Sequence, residues 1–157
     1  MPLEIDIKYR GEDYGITIKR NHPKFGSRVF YDPIKVHYFS DLELDGLVAL
    51  IDDQAVLHSR FSRSSDYMFA VDLDGQLTVF PFDQTPRGVT LAHSSLSQGR
   101  NILMCGRLTI DVVTRKITEV SNKCNRYKPT EKHLNWFMRT FIPNYKQLGI
   151  EVLNKSS

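Results

Sequence analysis

Asp66-Tyr67-Met68-Phe69-Ala70-Val71-Asp72-Leu73-Asp74-Gly75-Gln76-Leu77-Thr78-Val79-Phe80-Pro81-Phe82 is the stretch that decides the fold class. Two apolar runs, Tyr67 to Leu73 and Gln76 to Phe82, flank Asp74-Gly75. Asp-Gly adopts the positive backbone angles of a tight hairpin turn, and aromatic and β-branched neighbours suit pleated backbone. The stretch therefore reads as an antiparallel hairpin.

Further strands flank it. Ile102 to Ile110 is apolar enough for a central strand, and Ile117 to Val120 returns after a turn near Thr114. Val89 and Leu91 lead into another strand ending near Ala92. At the start of the chain, Leu3, Ile5, Ile7 and Tyr9 alternate with Glu4, Asp6 and Lys8, the two-residue period of a half-buried strand. Ile16 and Ile18 supply its hairpin partner, 21–27 reads as a loop, and Val29 to Tyr31 and Ile34 to Phe39 read as strands.

Two helices complete the pattern. Ser40 or Asp41 caps the first, which Leu44, Leu47, Val48 and Ile51 extend at helical spacing. Thr130 caps the second, whose apolar stripe is Leu134, Phe137, Met138 and Phe141, with Pro143 ending or kinking it. Gly149 then releases a last strand, Ile150 to Leu153. Many strands, about two helices and no βαβ rhythm predict a single α+β domain over 1–157, mainly antiparallel.

Composition narrows the function classes. At 157 residues with 41% hydrophobic and 25% charged side chains, the chain can bury a core without a staple. A net charge of +3 is too mild for a dedicated nucleic-acid binder, which carries a denser basic stripe. Two cysteines, Cys105 and Cys124, are not a disulfide framework, although a single bridge between them is open to the chain. No apolar run reaches the roughly 20 residues of a membrane span. Met1 to Asp6 alternates and has no apolar signal core, which predicts a cytoplasmic protein or one delivered without a secretory leader.

Three segments carry candidate chemistry. Leu91 to Gly99 sets His93, Ser94 and Ser95 where a strand gives way to a Ser/Gly-rich loop, a place for a ligand anion or simply a polar turn. A Ser/His catalytic pair is disfavoured there, because neighbours on a strand point to opposite faces. Ser121 to Pro129 offers Arg126 and Lys128 for a phosphate or carboxylate and Tyr127 as a stacking face; an elbow before the helix explains it equally well. Arg10, before Gly11, is either a charged fork at a sheet edge or a surface arginine before a turn. The histidines show no metal-ligand spacing, and Asp72-Leu73-Asp74-Gly75 fits a hairpin turn better than a calcium loop.

His93-Ser94-Ser95-Leu96, the strand with Gly106-Arg107-Leu108, and Asn122 through Pro129 together resemble a domain marked by an HSSF-type motif, an AAGxL strand and a SGHYxP motif before a helix. That domain occurs in plant IQ-motif calmodulin-binding proteins and in secreted bacterial toxins and effectors. The likeness covers Asp66 to Asn154 and implies an effector-type domain acting on a host or neighbour-cell protein. Where the pattern has Ser-Gly-His-Tyr, this chain has Cys124-Asn125-Arg126-Tyr127. A guanidinium stays protonated and cannot replace an imidazole base, so the departure implies altered or lost catalysis if that histidine is catalytic. The IQ motif is absent, so calmodulin binding does not carry over.

A more distant resemblance is to mono-ADP-ribosyltransferases with their Arg–Ser–Glu order. It implies a split β-sandwich that binds NAD, with Arg10 as the anion clamp, Ser94 or Ser95 ordering the pocket and Glu119 as the acid. Two expectations therefore stand: a transferase using NAD or another anionic nucleotide, or a non-enzymatic protein-interaction module presenting the 126–129 elbow and the 59–65 loop.

Overall fold

The computed structural model describes residues 16–22, 26–32, 36–124 and 127–155, the first two segments as backbone only. The predicted first strand, Arg10, Asn125 and Arg126 lie outside them. The elements are β1 (Ile16–His22), β2 (Gly26–Asp32), α1 (Asp41–Asp45), β3 (Leu50–Ile51), β4 (Leu57–His58), β5 (Asp66–Val71), β6 (Leu77–Pro81), α2 (His93–Ser97), β7 (Met104–Ile110), β8 (Ile117–Ser121), α3 (Glu131–Phe141) and β9 (Glu151–Leu153). The α+β class is as read.

The hairpin forms as expected. β5 and β6 pair antiparallel from Tyr67 opposite Pro81 to Val71 opposite Leu77. Asp72 holds the turn, its Oδ1 accepting from the backbone N–H groups of Asp74 and Gln76, and Gly75 takes φ +84°. A main sheet grows from this pair in the order β6-β5-β7-β8-β9, which puts β7 at its centre. β9 joins β8 in parallel after crossing through α3. β1–β2 and β3–β4 form separate two-stranded ribbons.

Alternation sends side chains of the main sheet to two faces, and both are covered. Phe69, Val71, Val79, Met104 and Leu108 meet Leu134, Phe137 and Met138 of α3 in one core layer. Phe137 lies 4.6 Å from the Phe69 ring and 4.8 Å from that of Phe141. On the opposite face Met68, Ala70, Phe80 and Cys105 pack with Phe39, Leu96, Cys124 and Tyr127. Double coverage is why β5 and β6 read as continuous apolar runs instead of alternating.

Several predicted elements change. Ser40 caps α1 through a reciprocal box with Glu43, but the helix stops at Asp45. Beyond Gly46, Leu47 and Ala49 are buried while Val48 and Leu50 are exposed, a strand period. The Leu47 carbonyl accepts from Val79 N–H and Ala49 N–H donates to Leu77, so this segment extends the sheet beside β6. The second change is α2, a third helix formed where His93 to Ser97 was expected to be loop. The strands predicted at Val89 to Ala92 and Ile34 to Phe39 reduce, among the described residues, to one parallel bridge between Val36 and Thr90.

Candidate functional site

Two of the three candidate segments, Leu91 to Gly99 and the described part of Ser121 to Pro129, meet β7 on the α2 face of the sheet, and the third, Arg10, lies outside the described residues. His93 opens α2, and its Nε2 lies 2.8 Å from the Gly106 carbonyl in β7. A carbonyl only accepts, so Nε2 carries the proton and Nδ1 is the nitrogen left for another partner. Gly106 is required there, because a Cβ at that position would stand 2.0 Å from the Ser121 carbonyl oxygen of β8. Tyr127 is 1% exposed, and its hydroxyl donates to the Arg100 carbonyl at 2.7 Å and contacts Ser97 Oγ. Asn122, also buried, donates to the Pro129 carbonyl and to Asn154 Oδ1, and accepts from Lys155 N–H. These bonds tie the loop after β8 to α2 on one side and to the end of β9 on the other.

Cys124 sits between the two tethers. Its thiol ionises far below the ordinary cysteine range, at about 4. The first cause is a hydrogen bond from the Cys105 side chain; His93 contributes a further hydrogen bond and its charge, and Tyr127 a backbone N–H. Burial works the other way. Cys105 shows the complement: buried beneath the site and donating to Cys124, its thiol is pushed well above the usual value. The pair therefore favours its proton on Cys105, with Cys124 the more acidic thiol. Neither cysteine is in a disulfide.

Cys124, though only 9% exposed, forms part of the wall of an open hollow of about 290 Å³. His93 and Ala92 from the start of α2, Lys123 and Arg107 border it, and Met68, Phe82 and Leu91 supply its apolar lining. The Arg107 guanidinium lies 4.8 Å from the Phe82 ring centroid and 3.5 Å from Asp66 Oδ1. The hollow therefore joins a thiolate and an imidazole to two cationic side chains and an aromatic face.

The predicted site residues divide. His93 is in place. Ser94 and Ser95 are fully buried; Ser95 Oγ accepts from Ala92 N–H and caps α2, and neither serine lines the hollow. The helical turn, absent from the sequence reading, turns them inward. Tyr127 was expected to offer a stacking face, but its ring is packed in the core, so it tethers the loop instead. Lys128 is exposed at φ +53°, away from the hollow. Glu119 lies on β8 beside Thr109 and Glu151, also outside the hollow's lining. Sequence reasoning missed Cys124, Arg107 and Lys123. Nothing in the distant sequence positions of His93 and Cys124 announced that they would pair.

Among the described residues no cluster of three His, Cys, Asp or Glu side chains is arranged to hold a metal ion, and no helix is long and apolar enough to cross a membrane. No protein-family model, curated protein or solved structure matches this chain.

Proposed function

We propose that this chain is a cysteine-dependent, effector-type enzyme that performs acyl transfer or hydrolysis on an anionic substrate. Cys124 is the nucleophile, attacking a carbonyl carbon, and His93 Nδ1 manages the proton that the thiol gives up and the leaving group needs. Arg107 and Lys123 attract and orient carboxylate or phosphate groups of the substrate, and Phe82 and Met68 receive its apolar part. The observation that carries the reading is the hydrogen-bonded Cys124–His93 pair on the wall of an open hollow, with the imidazole oriented by the Gly106 carbonyl. The likeness of the motif blocks to secreted toxins and effectors supports a protein of another cell as substrate.

An anionic nucleotide such as NAD would use the same two cations. The Ser and Glu positions of the transferase resemblance do not line this hollow, so the thiol reading is the better supported.

A p-nitrophenyl ester bearing a carboxylate tests the proposal under reducing conditions. The expected result is a burst of nitrophenolate approaching one per chain, with the acyl group found on Cys124 by mass spectrometry. Cys124→Ala should abolish the burst. A wild-type chain with no burst, or a Cys124→Ala variant that keeps it, overturns the reading.

A further inference from the structure

We infer that Cys105 and Cys124 form a peroxide-oxidised dithiol, a modification site in which Cys124 is oxidised first and Cys105 closes a reversible disulfide. The inference shares Cys124 with the proposed enzyme but does not need acyl chemistry. Three placements carry it.

A hydrogen bond joins the two cysteine side chains, which makes them neighbours. Both belong to one buried layer on the α2 face. The strand that bears Cys105 runs close to the segment leading to Cys124: a Cβ on Gly106 would lie 3.1 Å from Asn122 Cα. Access is unequal. Cys124 borders the hollow, whereas Cys105 is fully buried below it, so an oxidant that enters meets Cys124. A thiolate held next to an imidazole is the form that attacks peroxides, and a second thiol at contact distance is what diverts the product from irreversible oxidation.

The chemistry closes on these groups and one co-reactant, a hydroperoxide. The Cys124 thiolate attacks the terminal peroxide oxygen and the O–O bond breaks. The alkoxide, or hydroxide from hydrogen peroxide, departs and takes up a proton from solvent, leaving Cys124 as a sulfenic acid. The Cys105 sulfur then attacks the Cys124 sulfur, forming the S–S bond and breaking S–O, and hydroxide leaves as water with the Cys105 proton. Two thiols lose two electrons, and the peroxide gains them. A dithiol reductant reverses the bridge by exchange.

The test treats the full chain with one equivalent of hydrogen peroxide and follows it by intact mass and peptide mapping. The expected result is loss of two hydrogens, a Cys105–Cys124 cross-linked peptide, and complete recovery with dithiothreitol. In Cys105→Ser, and in Cys105→Ala should the serine variant not fold, the sulfenic acid should instead accumulate and be trapped by dimedone, then progress to sulfinic acid. Wild-type chain that gains oxygen on Cys124 without the cross-link, or that remains reduced, overturns the inference. The two proposals fail separately. A chain that gives the ester burst but never cross-links retains the enzyme and loses the dithiol. One that cross-links without a burst does the reverse.

Discussion

Two neighbours decide whether Cys124 carries charge at neutral pH. A hydrogen bond from Cys105 and the His93 ring hold the thiol down to about 4, against burial, which alone would raise it. An unperturbed thiol near 8.5 is well under 1% ionised at pH 6, so its alkylation there is slow. The expected rate of Cys124 alkylation by iodoacetamide is flat between about pH 6 and 8 and falls only as the pH approaches 4. In His93→Ala the profile should shift upward, its fall beginning at a higher pH than in the wild type; a profile that rises through pH 8 in wild type would refute the thiolate. The same displacement has a sign for stability. The folded-state value lies below the unfolded one, so the thiolate's contribution is complete above the ordinary thiol range. It is lost progressively as pH falls from there toward about 4. His93 could be singled out from the sequence because it opens a motif. Cys124 could not, because its partner is supplied by strand pairing and not by proximity along the chain.

Between elements, the decisive contact is where β7 passes β8. Gly106→Ala would drive a methyl into the Ser121 carbonyl, a backbone atom that cannot swing aside. The strands would have to part, and overpacking of this kind costs about 1–3 kcal/mol or more. The Gly106 carbonyl that orients His93 would move with them. Urea denaturation should show the loss of stability, and Cys124 alkylation at pH 6 should slow in the protein that remains folded. Unchanged values of both would mean that the close approach is not needed.

Hairpin, central strand and α3 were legible because their signals are local: Asp-Gly with flanking apolar runs, a continuous apolar strand, a stripe at helical spacing. Leu44, Leu47, Val48 and Ile51 misled because that spacing also matches alternation after Gly46, and the open edge of β6 selects the extended form. His93 to Ser97 misled for the opposite reason. Serines at this density favour turns, and only the buried Ser95 hydroxyl, capping Ala92, makes the turn helical.

Across the fold, Arg115 links parts that the chain order separates. Its guanidinium donates to the carbonyls of Phe61 and Ser64 and to the Tyr67 hydroxyl, while its backbone carbonyl accepts from Leu57 N–H. The 59–65 segment, expected to be an open basic loop, is therefore anchored at its apolar and serine positions and presents Arg60 and Arg63 outward. Arg115→Ala should destabilise the protein by about 1–3 kcal/mol, since it removes three part-buried hydrogen bonds made by one charged donor. The urea midpoint should fall, with the ester burst of the remaining folded protein intact. No shift in midpoint would show the anchoring to be dispensable. This connection could not be read in advance, because an arginine in a turn gives no sign of which carbonyls it will reach.

The main sheet keeps the hollow with Cys124 and His93 on one side and the larger of its two apolar cores, against α3, on the other. A chain organised this way has separable margins for change. Residues facing α3 can drift among apolar types, altering robustness while leaving the hollow untouched, and exposed residues around the hollow can be exchanged without forfeiting the scaffold.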